Sequence, residues 1–314
     1  MYNRKIGIVT FPIDRASVTP LYNLSSVISY LTDQVYIITG NAGVEVALKL
    51  EKPHFELMHY TSGSNIIARI YNYTKTQLIT TFHMAKFSKH VDVWVFPVCG
   101  EALLPCVTLA KILRKPIIMS LPSSTESMMK YQLDSLSPIV VFFAKFNYYL
   151  ATRIVLYSPA LITEWNLEKY RHKILIAHEH FLDFSTFSVT TPLPGRPPLI
   201  GYIGRLSGEK GVQHFAQALP AILADRQDLR VLIGGDGQLK ESIEASLQER
   251  GVTAHVDLPG WISHDDLPNY LNQLQLLILP SYTEGLPNIM LEAMACGTPV
   301  LATPVGAIPD VIID

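Results

Sequence analysis

A short segment in the second half of the chain places two cations around a glycine-rich turn. Residues 204–211 read Gly-Arg-Leu-Ser-Gly-Glu-Lys-Gly and lie between an apolar run and a helical pattern. In open α/β sheets, ligands bind off the carboxyl ends of the strands, where a helix N-terminus offers unpaired N–H groups. Arg205 and Lys210 would add two positive charges, which a diphosphate requires once it leaves water. The alternative is an exposed loop with ordinary surface cations.

A second segment, residues 280–299, carries two carboxylates separated by seven residues. Glu284 lies in a loop after an apolar run, and Glu292 lies within the helical pattern that follows. Because a step of eight positions is slightly more than two helical turns, both can face one crevice at different depths. Carboxylates accept hydrogen bonds from paired hydroxyls, as on a sugar ring or a ribose, and Gly285 permits close backbone approach. The alternatives are a helix-start acid for Glu284 and a surface acid for Glu292, although a carboxylate in an otherwise apolar helix is costly without a partner.

The elements that must position these residues alternate between short apolar runs and helical patterns. In the first part of the chain, the predicted strands are 6–10, 34–39, 92–96, 116–120, 153–157 and 173–177, and the predicted helices are 20–32, 64–90, 101–113 and 136–150. In the second part, the predicted strands are 199–203, 230–234, 255–258, 275–280 and 299–302, and the predicted helices are 211–225, 239–250, 265–272 and 288–296. This alternation indicates βαβ units on parallel sheets with helices on both faces.

A proline-rich stretch separates the two parts. We predict an α/β protein with a Rossmann-like domain over 1–190, a linker over 191–198 and a second Rossmann-like domain over 199–314. Both domains would be doubly wound parallel sheets. The second has only ~115 residues by the end of the chain, with no closing helix after its last strand. We therefore interpret it as incomplete, the chain being cut short at its C-terminus.

Composition and charge disfavour several classes of protein. The 314 residues carry a formal net charge of −2, whereas nucleic-acid binding normally needs a basic face. Hydrophobic residues make up 48% of the chain, which leaves peripheral membrane contact open. Three cysteines without a Cys-x-x-Cys pair argue against a disulfide framework or a zinc site and fit a reduced, cytosolic setting. The apolar run at 6–10 is too short for a signal peptide or a membrane span.

Taken in order, the motifs of the second part resemble glycosyltransferase family 4 (group 1). Residues 204–211 match the family's Gly-Arg-Leu…Glu-Lys-Gly stretch, Glu284 and Glu292 match its E-x(7)-E element, and 293–300 match its Ala-Met-Ala-Cys-Gly-Thr-Pro-Val. The resemblance covers about 198–314. It implies the GT-B architecture, in which two Rossmann-like domains face a central cleft, the first binding the acceptor and the second the nucleotide-sugar.

The resemblance also implies a reaction and a role for individual residues. The chain would be a retaining glycosyltransferase that moves a hexose-type sugar from a nucleotide-diphosphate-sugar to an acceptor. Arg205 and Lys210 would bind the diphosphate and stabilise the departing nucleotide, and Glu284 would contact hydroxyls of the donor sugar. Glu292 would hold the ribose hydroxyls. The implied donor-binding residues are Gly204, Arg205, Lys210, Glu284, Gly285, Leu286 and Glu292, of which Arg205, Lys210 and Glu284 would be catalytic.

No metal and no cofactor beyond the donor substrate are implied, because protein cations and helix N-termini would stabilise the leaving group. The acceptor would be a glycan, a lipid-linked glycan or a small molecule, and no nucleic-acid partner is expected. We expect a cytoplasmic protein of polysaccharide biosynthesis, with a position at the inner face of the membrane left open.

The first domain matches the family less closely. The family often carries a histidine after the strand equivalent to 116–120, where this chain reads Ser-Leu-Pro-Ser-Ser-Thr-Glu over 120–126. The family's Gly-Gly turn after the first strand is also absent from 11–22. The acceptor and a catalytic residue in this domain are therefore left open. The alternatives are a catalytically impaired nucleotide-sugar-binding remnant and a GT-B-fold epimerase or phosphorylase.

Two further patterns have alternative interpretations. His178 and His180 point the same way on an extended segment, but without an evident third ligand we favour a structural role over a metal site. The apolar and aromatic stretch 138–150 indicates core packing, with a membrane-surface or lipid-acceptor patch as the alternative.

Overall fold

A computed structural model describes residues 4–50, 53–131, 137–178 and 180–313 of the chain. The chain divides into two compact units, Met1–His180 and Phe181–Asp314. Each unit is a parallel β-sheet whose strands are connected through helices. The predicted α/β fold class with two doubly wound sheets is therefore confirmed.

The described part of the first unit contains a seven-stranded sheet. Its strands are β1 (Ile6–Val9), β2 (Val35–Gly40), β3 (His54–Met58), β4 (Val93–Phe96), β5 (Ile117–Ser120), β6 (Arg153–Leu156) and β7 (Ile174–Ile176). They lie in the order β3-β2-β1-β4-β5-β6-β7, and neighbouring strands are parallel. Ile8 and Trp94, on the central strands, are fully buried, as expected for a sheet that helices cover on both faces.

Helices of the first unit lie on both faces of this sheet. They are α1 (Val18–Leu31), α2 (Val44–Lys49), α3 (Ile66–Phe87), α4 (Leu104–Ile112), α5 (Thr125–Tyr131), α6 (Ser137–Leu150) and α7 (Ala160–Glu164). Right-handed crossovers place α1 and α2 on one face and α3, α4 and α6 on the other, because the chain progresses in opposite directions across the sheet. On that second face, α3 packs against α4, and α4 packs against α6.

The described part of the second unit contains a five-stranded sheet. Its strands are β8 (Leu199–Ile203), β9 (Arg230–Gly234), β10 (Val256–Gly260), β11 (Leu276–Leu279) and β12 (Val300–Ala302), and its helices are α8 (Val212–Asp225), α9 (Lys240–Glu249), α10 (Leu267–Leu271) and α11 (Asn288–Ala295). The strand order is β10-β9-β8-β11-β12, again with parallel neighbours. One apolar cluster packs α8 and α9 on the sheet, and a second packs α10 and α11 on it.

The boundary between the units falls earlier than the predicted one at 190. Phe187 is 2% exposed and belongs to the core of the second unit. Arg196, within the segment predicted as a linker, is also buried: its Nη1 donates to Leu274 O at 2.7 Å, and its Nη2 donates to Cys296 O at 2.6 Å. Arg196 therefore anchors the segment 191–198 to the second unit, because a buried guanidinium must satisfy its donors there.

Candidate functional site

The two segments predicted to bind a donor leave neighbouring strands. β8 ends at Ile203, β11 ends at Leu279, and the two strands pair in parallel. The order of the strands reverses between them, since the chain continues from β8 to β9 on one side and from β11 to β12 on the other. A reversal of this kind leaves a crevice at the carboxyl ends, which is where ligands of doubly wound sheets bind.

A tight turn carries the first segment from β8 into α8. Gly208–Lys210 forms a single 3-10 turn, and Gly211 takes a φ of +66° before α8 begins. A Cβ on Gly211 would lie 2.0 Å from the carbonyl oxygen of Pro280. Glycine therefore supplies both the left-handed backbone and the close approach of this turn to the end of β11.

An ion pair joins the two segments. The Lys210 Nζ lies 2.7 Å from Glu284 Oε1 and 2.8 Å from Glu284 Oε2, and the Ser281 hydroxyl donates to Oε1 at 2.7 Å. The Glu284 side chain is 9% exposed and that of Lys210 is 27% exposed. The structure thus brings two of the three predicted catalytic residues into direct contact and leaves the ammonium accessible from solvent.

Glu209 is a second buried carboxylate of this site, and the sequence analysis did not assign it a role. Its Oε1 accepts a hydrogen bond from the Ser207 hydroxyl at 2.6 Å and lies 3.9 Å from Arg205 Nη1. Its backbone oxygen accepts the N–H of Tyr282 at 2.9 Å, which ties the first segment to the second. The only sequence feature that could have drawn attention to Glu209 is its position beside Lys210 in the Glu-Lys-Gly triplet. A triplet of this kind does not show whether the acid is buried or exposed.

Tyr202, at the end of β8, supports the backbone that carries Arg205. Its hydroxyl donates to Arg205 O at 2.6 Å. Burial, with the negative charges of Glu284 and Glu209, raises the pKa of Tyr202 well above its usual value, so the phenol stays a donor. Gly204 lies beside the phenol, since a Cβ there would be 2.9 Å from the Tyr202 oxygen.

The second predicted carboxylate, Glu292, is buried on α11 and pairs with a histidine. Its Oε1 lies 3.2 Å from His264 Nε2, and the His264 ring meets Phe187 edge-on with 5.1 Å between the ring centroids. The sequence indicated that a carboxylate in this apolar helix needs a partner. His264 was missed because it lies in the loop before α10, far along the chain and outside any motif. Glu292 thus belongs to a pair separate from that of Lys210 and Glu284.

The turn after Glu284 is held by the segment that follows β12. The N–H of Ala307 donates to Gly285 O at 2.8 Å, and a Cβ on Gly306 would lie 2.3 Å from Glu284 O. Leu286 packs against the apolar cluster around α10 and α11. These contacts fix the backbone of the predicted donor-binding residues Gly285 and Leu286 directly before the start of α11.

The arrangement has a definite chemical capacity. Arg205 and Lys210 are cations that can pair with phosphate oxygens, and the N-terminus of α11 offers N–H donors nearby in the chain. A carboxylate has about four acceptor positions, and Glu284 uses them for Lys210 and Ser281 only in part. The site can therefore hold an anion and accept hydrogen bonds from hydroxyl groups.

His178 and His180 were considered above as an alternative metal site, and the described residues place no third ligand with them. Within the described residues, which exclude Glu179, no cluster of three or more His, Cys, Asp or Glu side chains is placed to hold a metal ion. The Tyr157 ring lies 5.9 Å from the His178 ring and 4.7 Å from the His180 ring, measured between centroids. The two histidines thus pack around an aromatic ring.

Comparison with known proteins gives a family match over part of the chain. Residues 183–314 match the family model of Glycosyl transferases group 1. The 2-deoxystreptamine glucosyltransferase of Streptomyces kanamyceticus is 36% identical over 115 residues, which are 37% of this chain and 30% of that protein. The alpha-D-kanosaminyltransferase of the same organism is 28% identical over 152 residues, 47% of this chain and 39% of that protein. The chain therefore matches about a third of the length of these curated relatives.

The solved structures extend the likeness to both units. Anabaena Alr3699/HepE, crystallised with UDP and glucose, superposes with a TM-score of 0.75 over 99% of this chain and 84% of that protein, at 16% identity. At this identity the likeness shows the fold, which is that of GT-B glycosyltransferases. The narrower assignment to family 4 stays a prediction.

Proposed function

We propose that this chain is a retaining glycosyltransferase that transfers a hexose-type sugar from a nucleotide-diphosphate-sugar to an acceptor. The observation that carries the proposal is the contact of Lys210 with both carboxylate oxygens of Glu284 at the carboxyl ends of β8 and β11. This crevice is the position at which doubly wound sheets bind nucleotides. The match of 183–314 to group 1 glycosyl transferases supports the same function.

The proposed roles follow from the charges and their burial. Arg205 and Lys210 bind the diphosphate and stabilise the negative charge that develops on the departing nucleotide. Glu284, held by Lys210 and Ser281, accepts hydrogen bonds from hydroxyls of the donor sugar. Gly204, Gly285 and Leu286 supply the backbone next to the donor. No divalent metal takes part in this proposal, because the two protein cations supply the positive charge.

Glu292 is proposed to bind the ribose. It is 6% exposed and lies 3.2 Å from His264 Nε2. Since the second oxygen of a carboxylate can accept from a hydroxyl while the first is bound, one side chain can serve both partners. His264 would then orient the carboxylate.

The donor class is proposed from the solved neighbours. HepE was crystallised with UDP and with UDP-glucose, so a UDP-hexose is the first donor to test. The acceptor is proposed to be a glycan, a lipid-linked glycan or a small molecule, and the reaction to take place in the cytoplasm during polysaccharide biosynthesis. The segment 120–126 offers no histidine to act on the acceptor.

A calorimetric titration with UDP, GDP and ADP in the presence of a chelator tests the donor site. We expect one nucleotide to bind, and binding to be lost in Arg205→Ala and weakened in Glu292→Ala. Arg226→Ala is the matched control, since Arg226 is exposed and pairs with Asp228 on the surface. Binding that survives Arg205→Ala, or that requires a divalent metal, would contradict the proposal.

Transfer is tested separately with the nucleotide-sugar that binds. Retention of the anomeric configuration, read by NMR on the product, is the expected outcome. Donor binding without transfer to any offered acceptor would favour the nucleotide-sugar-binding remnant instead.

A further inference from the structure

The helix layer formed by α3, α4 and α6 contains no acidic residue. Its basic residues are Arg69, Lys75 and Lys86 on α3, Lys111 on α4 and Lys145 on α6. The three helices lie side by side on one face of the first sheet. The three helices therefore carry five positive charges and no negative charge, although Lys86 and Lys145 form ion pairs with Glu56 on β3 and Glu126 on α5.

The longest of these helices has its apolar side outward. Along α3, Ile67, Tyr71, Leu78 and Phe82 are 77%, 64%, 61% and 70% exposed. Their spacing of four, seven and four residues places them on one stripe of the helix. The buried residues of α3 are by contrast mainly polar, namely Thr76, Gln77, Thr80 and Met84. A helix of a protein that contacts only water and its own core shows the opposite distribution.

The aromatic residues of α6 form a second exposed stripe. Phe142, Phe146 and Tyr149 are 64%, 43% and 69% exposed, while Ala144 and Tyr148 on the other side are buried. The core-packing interpretation of the stretch 138–150 therefore holds for one face of this helix only. Between the stripes of α3 and α6, the end of α4 presents Ile112, Leu113 and Lys111, of which Ile112 is 71% exposed.

A groove at the edge of this face combines aromatic and basic side chains. It has a volume of about 390 Å³ and lies between α6 and the segment before β7. Phe142, Phe146 and Tyr149 line one part, and Lys169 and Lys173 line another. Aromatic rings and lysine stems of this kind bind at the boundary between lipid head groups and acyl chains, with the ammonium groups directed at the head groups.

We propose that the outward face of α3, α4 and α6 docks on an anionic lipid membrane. The surface of such a membrane attracts the basic residues, and its apolar region accepts the exposed stripes. A second copy of the chain fits less well, because a two-fold interface would set this basic face against itself. In the described residues no helix is long and apolar enough to cross a membrane, so the contact is one of a helix face with the bilayer surface. The proposal does not depend on the proposed sugar transfer.

Sedimentation with phosphatidylcholine vesicles, with and without phosphatidylglycerol, tests the apolar part of the contact. No nucleotide is added, so that failure of the donor site does not affect the result. We expect the 314-residue chain to bind the anionic vesicles, and the double variants Tyr71→Ser/Phe82→Ser and Phe142→Ser/Tyr149→Ser each to lose about tenfold in binding. The substituted side chains are exposed, and thermal unfolding confirms that each variant folds.

The matched control removes two exposed apolar side chains from the opposite face. Tyr30 on α1 and Leu48 on α2 are 80% and 82% exposed, and Tyr30→Ser/Leu48→Ser should bind vesicles as the parent chain does. An equal loss in this control would overturn the proposal, because exposed apolar area in general would then be responsible.

The charged part is tested by Lys75→Glu/Lys111→Glu. We expect about a tenfold loss on anionic vesicles, and loss of parent-chain binding when the salt concentration rises from about 0.01 M to about 1 M. If the parent chain bound neutral and anionic vesicles equally, the proposed requirement for anionic lipid would be wrong. Absence of vesicle binding, together with a dimer that Tyr71→Ser/Phe82→Ser dissociates in analytical ultracentrifugation, would overturn the proposal in favour of a second copy.

Discussion

At the scale of single residues, Lys210 and Glu284 already satisfy each other before any donor is bound. A diphosphate that takes Lys210 as a partner therefore competes with a carboxylate 2.7 Å away. Hydroxyls of the donor sugar would then donate to Glu284 in place of the Lys210 ammonium. In the proposed function, the pair would therefore couple recognition of the phosphate to recognition of the sugar, and a nucleotide without its sugar would engage only Lys210.

Glu284→Gln tests this coupling with little change of shape. The amide can still accept from Ser281, but it cannot pair with Lys210 as a charge. We expect sugar transfer to fall by about 10² or more, because the contact acts on the transition state, while binding of the nucleoside diphosphate is retained. Steady-state kinetics and calorimetry measure the two effects. Glu244→Gln, at an exposed position of α9, is the control, and undiminished transfer by Glu284→Gln would refute the assigned role.

Glu101 offers a prediction about pH in the first unit. It is 6% exposed, and its carboxylate accepts the hydroxyls of Thr125 and Tyr148. Burial raises the pKa of Glu101 above its ordinary value of 4.5, although the hydrogen bonds from Thr125 and Tyr148 oppose the shift. The folded state therefore binds the proton more tightly than the unfolded state, so this contribution to stability is complete at low pH and is lost as the pH rises from 4.5 through the folded-state pKa.

Urea unfolding at a series of pH values measures this contribution. The free energy of unfolding of Glu101→Gln, relative to that of the parent chain, should increase as the pH rises above 4.5. The amide stays neutral, whereas the parent carboxyl must ionise in a buried place. Parallel curves for the two proteins would show that Glu101 keeps its ordinary pKa.

At the scale of elements, the turn between β8 and α8 depends on one glycine. Gly211→Ala introduces a Cβ at φ +66° and 2.0 Å from Pro280 O. Gly251→Ala is the matched control, with φ +69° and nothing within 4 Å of the added atom. We expect the control to cost about 1 kcal/mol from backbone strain alone, and Gly211→Ala to cost about 2 kcal/mol more with weaker nucleotide binding. Chemical unfolding of both variants provides the comparison, and equal costs would show that the turn can move away from β11.

Strongly apolar strands and long helices could be predicted from the sequence, while short and edge elements could not. The core of the predicted strand 92–96 could be recognised because the four side chains of 93–96 are all apolar. β3, which spans His54–Met58, was missed because it is an edge strand that includes a charged residue, Glu56. α2 was missed because six residues give too little periodicity to identify a helix.

The same limit applies to the site. Motif order identified Arg205, Lys210 and Glu284, since local spacing alone places them at strand ends. His264, Ser281 and the burial of Glu209 depend on contacts between distant elements, which no local pattern specifies. The outward apolar stripe of α3 was likewise hidden, because periodicity shows that a stripe exists but not which way it faces.

At the scale of the whole molecule, a ligand of the second unit should change stability by mass action. At about 100 times its Kd, the bound nucleotide adds about 2.7 kcal/mol to the free energy of unfolding of the unit that binds it. Hydrogen exchange should then slow in the segments 204–211 and 280–292. Arg205→Ala should abolish the effect, and slowing confined to residues before 181 would place the nucleotide elsewhere.

Arg196 also sets an order of events during synthesis. Its acceptors Cys296 O and Thr298 Oγ1 lie 100 and 102 residues further along the chain. A ribosome that adds about 5–20 residues per second delivers them roughly 5–20 s after the guanidinium has left it. Until Cys296 is made, the Nη2 group of the guanidinium has water as its partner. For most of that interval the first strand of the second sheet, which starts three residues after Arg196, also lacks its neighbour β11. The second unit therefore matures after translation of its last strand, whereas the first can be complete long before.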